Sequence, residues 1–134
     1  MISSKGRLVI LWLLLVIGMI LHFNYHVGEI FYGIDVVRAN ATGEVPIGTV
    51  IIRTIFYHLP MIWILVIIYT DKKIVRMVLL IISAVYLLAH GAHLAEELFA
   101  VEKDISQTSL LAVVLLVSGM TSVEHYKYWK EIPR

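Results

Sequence analysis

Length, composition and charge narrow the class of protein first. The chain has 134 residues, no cysteine and a formal net charge of +1. Hydrophobic residues make up 60% of it, against about 45–50% in soluble domains, and so small a globule could not bury that much apolar surface. A lipid bilayer is therefore the expected solvent and partner. The charge gives no reason to expect a nucleic acid partner, and the lack of cysteine excludes disulfides and thiolate metal ligands.

Four segments can span a hydrocarbon core of about 30 Å, which takes roughly 20 helical residues. They cover about residues 8–32, 48–69, 74–99 and 108–123, and a polar tail follows at 124–134. We therefore predict an all-α integral membrane four-helix bundle that forms a single domain, residues 1–134. Lys5 and Arg7 precede the first apolar run as in a signal peptide, but no small-x-small cleavage site follows, so we expect this segment to be retained as a helix.

The positions of lysine and arginine predict the orientation of the bundle. One side holds only Arg38 and Lys103, whereas the other side holds most of the basic residues: Lys5, Arg7, Lys72, Lys73, Arg76, Lys127, Lys130 and Arg134. Because basic residues are enriched in cytoplasmic loops, we predict a multi-pass protein of the cell membrane with both termini in the cytoplasm.

Five of the six histidines fall inside the predicted membrane helices, at similar depths, and three carboxylates accompany them. Ionisable side chains in hydrocarbon are costly and mark a functional site by default. Spacings of three and four residues place His22, His26 and Glu29 on one face of the first helix. They likewise place His90, His93 and Glu97 on one face of the third helix. Both faces should point inward. The candidates are His22, His26, Glu29, His58, His90, His93, Glu96 and Glu97.

This residue set favours a bound divalent metal. His22, His58 and His90 each lie about eleven residues from the predicted outer helix ends, roughly 16 Å along the axis. Three imidazoles in one layer are typical of a catalytic zinc site with a fourth position for water, and imidazole also suits iron or copper. A dinuclear carboxylate–histidine site is a further alternative. We predict all five histidines as metal ligands, with Glu29, Glu96 and Glu97 as ligands or as hydrogen-bond partners of ligands.

Other residues receive secondary roles. Arg53 is expected to be a counter-ion for Glu29 or Glu97. Pro60 should kink the second helix and free the carbonyl of Phe56. Two polar residues near the C-terminus, outside the predicted helices, are expected to be solvated, and these are Glu124 and His125.

Two rival interpretations use the same histidines. Haem could take two of them as axial ligands, but the carboxylates would then have no role. A proton or metal-ion pathway could also use histidine and glutamate chains. The halves of the first and third helices nearer the cytoplasm carry no charge apart from Arg76, so a pathway should stop halfway.

The first and third helices carry similar outer ends, with His26 and Glu29 matching His93 and Glu96. The pattern is consistent with a parallel two-helix repeat. The segment from Ala89 to Phe99 also resembles the family of small bacterial membrane proteins named for their HxxEE motif, whose function is unassigned. The resemblance implies a membrane fold and gives His93, Glu96 and Glu97 as motif residues, but it implies no activity.

The sequence thus predicts an integral membrane metal-binding protein with its site in the outer half of the bundle. If it is an enzyme, it could be a metal-dependent hydrolase, in which metal-activated water attacks a lipid-borne ester or amide, or an iron or copper oxidase. Glu96 and Glu97 are the candidate proton carriers. The alternatives are a haem-binding protein, a non-catalytic subunit of a homo-oligomer or larger membrane complex, and a proton or metal-ion transporter.

Overall fold

The computed structural model describes residues 2–37, 41–100 and 104–131, and within these it is helical without strands. Each of its four helical segments is long and apolar enough to cross a membrane, which confirms the predicted all-α four-helix bundle. Arg38, Lys103 and Arg134, used in the orientation argument, lie outside the described residues. The helices are α1 (Ser4–Gly28, continued by a 3₁₀ turn, Glu29–Tyr32), α2 (Ile47–Tyr69), α3 (Lys73–Phe99) and α4 (Ile105–Lys130).

Helix α4 is longer than the sequence predicts at both ends. It begins at Ile105 because the carboxylate of Asp104 accepts the backbone N–H groups of Ser106 at 2.7 Å and Gln107 at 3.3 Å, which satisfies donors that a helix start leaves free. These bonds, with one from the Ser106 hydroxyl, hold the pKa of Asp104 below its usual value. At its other end α4 continues to Lys130 and absorbs most of the predicted polar tail.

A π-helical turn, Thr54–His58, interrupts α2, and Pro60 explains its position. The N–H of Leu59 donates to the carbonyl of Thr54, five residues earlier, and proline has no N–H to offer the next carbonyl. The carbonyl of Ile55 instead accepts the hydroxyl of Tyr86 on α3. The α-helical bonding is interrupted next to Pro60, but the carbonyl that takes a side-chain donor is that of Ile55 and not that of Phe56, because the π turn shifts the bonding pattern by one residue.

Helix α4 lies between α1 and α3 and packs closely against both, while α2 packs closely against α1. Aromatic side chains fill the wider space between α2 and α3. These interfaces are unequal, whereas a two-helix repeat would make them equivalent, so the packing gives the predicted repeat no support. The apolar core consists of Leu8, Trp12, Leu15, Met19, Ile64, Ile67, Leu79, Tyr86, Val114 and Tyr128.

We call the end of the bundle where α1 begins and α4 ends the terminal end, and the opposite end the histidine end. The prediction that Glu124 and His125 are solvated is wrong. Glu124 is buried and bonds Arg7 at 2.8 Å and Lys127 at 2.7 Å. His125 is fully buried, and its Nε2 accepts the indole N–H of Trp12 at 2.9 Å. Both face the bundle because α4 remains helical and keeps its buried face through Tyr128.

Glycine allows α1 and α4 to approach closely. A methyl group added at Gly18 would lie 2.6 Å from Cγ2 of the buried Val114, whereas one at Gly28 would meet nothing within 4 Å. We expect Gly18→Ala to lower the free energy of unfolding by about 1–3 kcal/mol through overpacking. Gly28→Ala, the control, should be neutral or stabilise by up to about 1 kcal/mol through helix propensity. Denaturant titration in detergent micelles measures both, and equal stabilities would contradict the close approach.

Asp71, in the turn between α2 and α3, ties this turn to α4. Its carboxylate accepts the Tyr128 hydroxyl at 2.7 Å and the Arg76 guanidinium at 2.6 Å, and these bonds hold its pKa below the ordinary value of 3.8. A lowered folded-state pKa contributes stability that is present above pH 3.8 and lost as the pH falls through the folded value.

Asp71→Asn should therefore lower the unfolding temperature at pH 7, and the difference from the wild type should shrink as the pH falls below about 4. The measurement is thermal unfolding in micelles across this range. Glu44→Gln, in an exposed loop, serves as the control and should show no such trend. A difference that is independent of pH would contradict the role of the charged Asp71.

Candidate metal centre

The histidine end holds a cluster that could bind a metal ion. His22 and His26 of α1 and Glu97 of α3 each offer one ligand atom, and these atoms all lie within 4.8 Å of one another. Ligand atoms around a zinc ion lie about 2.0–2.2 Å from it, and hence roughly 3–3.5 Å apart. Small side-chain rotations are enough to close the remaining gap.

Helix geometry positions these three side chains. His22 and His26 are four residues apart, so they lie one turn apart on the same face of α1, with ring centroids 4.7 Å apart. His22 is buried, whereas His26 lies closer to the mouth of the bundle and is exposed. From α3, Oε1 of Glu97 lies 3.9 Å from Nε2 of His26.

The ring of His93 on α3 contacts the ring of His22. The Nε2 atoms of the two rings are 2.9 Å apart, a hydrogen bond whose direction depends on the tautomers. Behind it, Nδ1 of His93 lies 3.8 Å from a carboxylate oxygen of Glu96, which is largely exposed. Among the described residues, the buried Nδ1 of His22 has no hydrogen-bond partner. His22 is thus fixed in orientation and keeps one ring nitrogen available.

Gln107 is a site residue that the sequence analysis missed. Its side-chain amide N–H donates to Nδ1 of His26 at 2.9 Å, and its buried Oε1 is without a partner in the described part of the chain. It lies one residue before the predicted start of the fourth helix at Thr108, in a stretch that the sequence analysis assigned to a polar loop. The sequence signal that could have found it is Asp104 three residues earlier, a residue type that caps helix starts.

The structure does not bring the other candidates into this cluster. His90 is buried deeper in the bundle, where its ring packs against those of Phe56 and Tyr86. His58 is exposed on α2, so the layer of His22, His58 and His90 is not assembled. The π turn accounts for this, because one extra residue rotates the following side chains by roughly 100° about the helix axis.

Arg53 does not act as the predicted counter-ion. It is exposed on α2, and across residues 2–37, 41–100 and 104–131 it forms no ion pair with Glu29 or Glu97. Glu29 is half-buried in the 3₁₀ turn that ends α1. There it lines a cleft rather than joining the cluster.

This cleft, of about 840 Å³, lies between the end of α1 and the start of α4. Its walls include His26 and Glu97, so it opens directly onto the cluster. Carboxylates and aromatic rings form much of the remaining lining, among them Tyr25, Glu29, Tyr32 and Asp104. A small molecule or a lipid headgroup could therefore reach a metal held by the cluster from the membrane surface.

Fold and cluster together define the class: a multi-pass membrane protein of four helices with a histidine–glutamate cluster in one half of the bundle. No known family model matches the chain, and no curated protein or solved structure matches it either. The resemblance to the HxxEE family therefore stays a prediction.

Proposed function

We propose that this protein binds a divalent transition-metal ion through His22, His26 and Glu97. The observation that supports this most directly is the convergence of their three ligand atoms within 4.8 Å inside a membrane bundle. The excess of lysine and arginine at the terminal end favours an orientation in the cell membrane with both termini cytoplasmic. The metal then lies in the outer half of the bundle.

The ligand types narrow the choice of metal. Two imidazoles and one carboxylate form the ligand set of many catalytic zinc sites and also of non-haem iron(II) oxygenases. Copper is compatible with the imidazoles, whereas magnesium and calcium prefer oxygen ligands alone. Three protein ligands leave coordination positions open, and the adjoining cleft gives water or substrate access to them.

Gln107 and His93 suit the role of partners that orient metal ligands. A metal bound to Nε2 of His26 requires the proton on Nδ1, and this N–H needs an acceptor. Turning the Gln107 amide by half a rotation presents its otherwise unpartnered Oε1 to that N–H. His93, backed by Glu96, restrains His22 in the same way. Such partners typically contribute a factor of about 10–100 to metal affinity.

A membrane metalloenzyme that acts on a lipid-borne substrate is the activity that this site favours. Metal-bound water would attack an ester or amide, or an iron or copper centre would carry out an oxidation. With Glu97 bound to the metal, Glu96 remains as the carboxylate for proton transfer, through His93. The cleft at the membrane surface would admit the polar end of such a substrate.

Haem is the less favoured cofactor. Axial ligands lie on opposite faces of the porphyrin, and the macrocycle must fit between them. His22 and His93 are instead within direct hydrogen-bonding distance. A haem would also leave Glu97 without a role.

Metal content tests the proposal. Element analysis by mass spectrometry of the purified protein should find zinc, iron or copper close to equimolar with the chain, without a Soret band. His22→Ala and Glu97→Ala should each lower that content strongly, because each removes a ligand. His58→Ala, which removes an exposed histidine outside the cluster, is the matched control and should leave it unchanged. Only trace metal in the wild-type protein would overturn the proposal and favour a non-catalytic subunit.

Gln107→Ala should weaken zinc binding by about 10–100-fold while the number of bound ions at saturation stays the same. Competition with a chelating dye measures the affinity. Ser109→Ala, an exposed hydroxyl on the same helix, is the control. Equal affinities of the two variants would show that Gln107 does not orient His26.

A further inference from the structure

Rows of largely polar residues follow the facing sides of α3 and α4, interrupted by Leu79 on α3 and by Leu111 and Val114 on α4. On both helices the positions recur every three or four residues, which places them on one face, and the two helices pack closely together. On α3 the positions are Arg76, Leu79, Ser83, Tyr86 and His90, all buried, followed by His93 and Glu97 towards the histidine end. On α4 they are Gln107, Leu111, Val114, Ser118, Thr121, His125 and Tyr128, all buried. We call these two facing rows the polar seam.

The polar seam extends through the half of the bundle that the sequence analysis took to be apolar. Ser83, Tyr86, Ser118, Thr121 and His125 lie buried between the His/Glu cluster and the terminal end. The expectation that a pathway would stop halfway rested on the first and third helices alone. It overlooked α4, whose polar positions lie opposite those of α3.

Ser83, Tyr86 and Thr121 each donate to a backbone carbonyl, but packing alone does not account for His90, Ser118 and His125. Polar side chains can join membrane helices, but they do so through hydrogen bonds. Within the described residues, both ring nitrogens of His90, Oγ of Ser118 and Nδ1 of His125 are buried without a partner. His90 is 2% exposed, Ser118 1% and His125 0%. Buried polar atoms of this kind usually bond to internal water.

We propose that the polar seam conducts protons across the bundle, between the histidine end and the terminal end. A proton arriving at the unprotonated ring nitrogen of His90 releases the proton on the other nitrogen, which leaves a neutral imidazole of the opposite tautomer. Rotation of the ring restores the first tautomer before the next transfer. Water bonded to Ser118 and His125 carries the proton onward, and it leaves to solution at the terminal end. No redox partner is needed, because only a proton moves. This pathway goes beyond the metal site and does not require a bound metal.

Trp12 slows proton transfer at His125. A relay imidazole needs both nitrogens free, but Nε2 of His125 accepts the indole N–H of Trp12. Removing that N–H should free Nε2 of His125 for proton transfer. Phenylalanine in place of Trp12 keeps an aromatic ring against Tyr86, and the ring centroids of Trp12 and Tyr86 are 5.0 Å apart. The two arginines at this end are each paired with a carboxylate, Arg76 with Asp71 and Arg7 with Glu124.

Proton flux into liposomes tests the proposal. The full chain is reconstituted in phosphatidylethanolamine–phosphatidylglycerol vesicles that contain a pH-sensitive dye, and valinomycin with a potassium gradient drives proton uptake. We expect Trp12→Phe to conduct several-fold faster than the wild type. His90→Gln should abolish flux in both backgrounds to the rate of protein-free vesicles, since an amide of similar size cannot take up a proton.

Two variants control for non-specific leak. His58→Gln alters an exposed histidine outside the seam, and Trp129→Phe removes the indole N–H of a half-buried tryptophan that is not a seam position. Neither should change the flux, and gel filtration shows whether every variant remains folded. Flux in the wild type that Trp12→Phe accelerates and His90→Gln abolishes supports the pathway, and a wild-type rate equal to that of protein-free vesicles contradicts it. No flux in Trp12→Phe, or flux that survives His90→Gln, overturns it, and neither result bears on metal content.

Discussion

Hydrocarbon cannot hydrogen-bond, and this constraint determines how the four helices are arranged. Polar side chains at membrane depth are therefore favoured where they face protein, water or a bound ion, and the exposed Arg53 and His58 of α2 are exceptions. Helices α3 and α4 carry the longest rows of such side chains, and they face each other along their whole length. Helix α1 contributes an apolar face that becomes polar only from His22 onward. The histidine cluster forms where the polar parts of α1, α3 and α4 meet.

The two ends of the bundle satisfy their polar groups in different ways. At the terminal end, Arg76 is paired with Asp71 and donates to the backbone carbonyls of Tyr128 and Glu131. Glu124 is paired there with Arg7 and Lys127. These bonds tie the turn before α3 to the end of α4. At the histidine end, by contrast, His22 and Gln107 keep polar atoms without partners among the described residues. The paired charges of the terminal end are typical of contacts that stabilise a fold, whereas the unpartnered polar atoms of the histidine end are what a ligand-binding site requires.

Spacing and hydrophobicity were enough to predict the helices and the side chains that converge from α1 and α3. His22, His26 and Glu97 lie on helix faces that follow directly from intervals of three and four residues. The direction in which the side chain of His58 points could not be predicted from these intervals, because it depends on the π turn that precedes Pro60. His125 was missed for another reason. Its charged neighbours suggest a solvated tail, although its spacing from Ser118 and Tyr128 continues the buried row of α4.

The central claim is that His22, His26 and Glu97 bind a metal ion together. X-ray absorption spectroscopy of the purified protein at the edge of its bound metal tests this most directly, because it reports the type and distance of the ligand atoms. The account predicts a first coordination shell of nitrogen and oxygen at about 2.0–2.2 Å with the scattering pattern of two imidazoles. A shell without imidazole, or one with four porphyrin nitrogens, would contradict it.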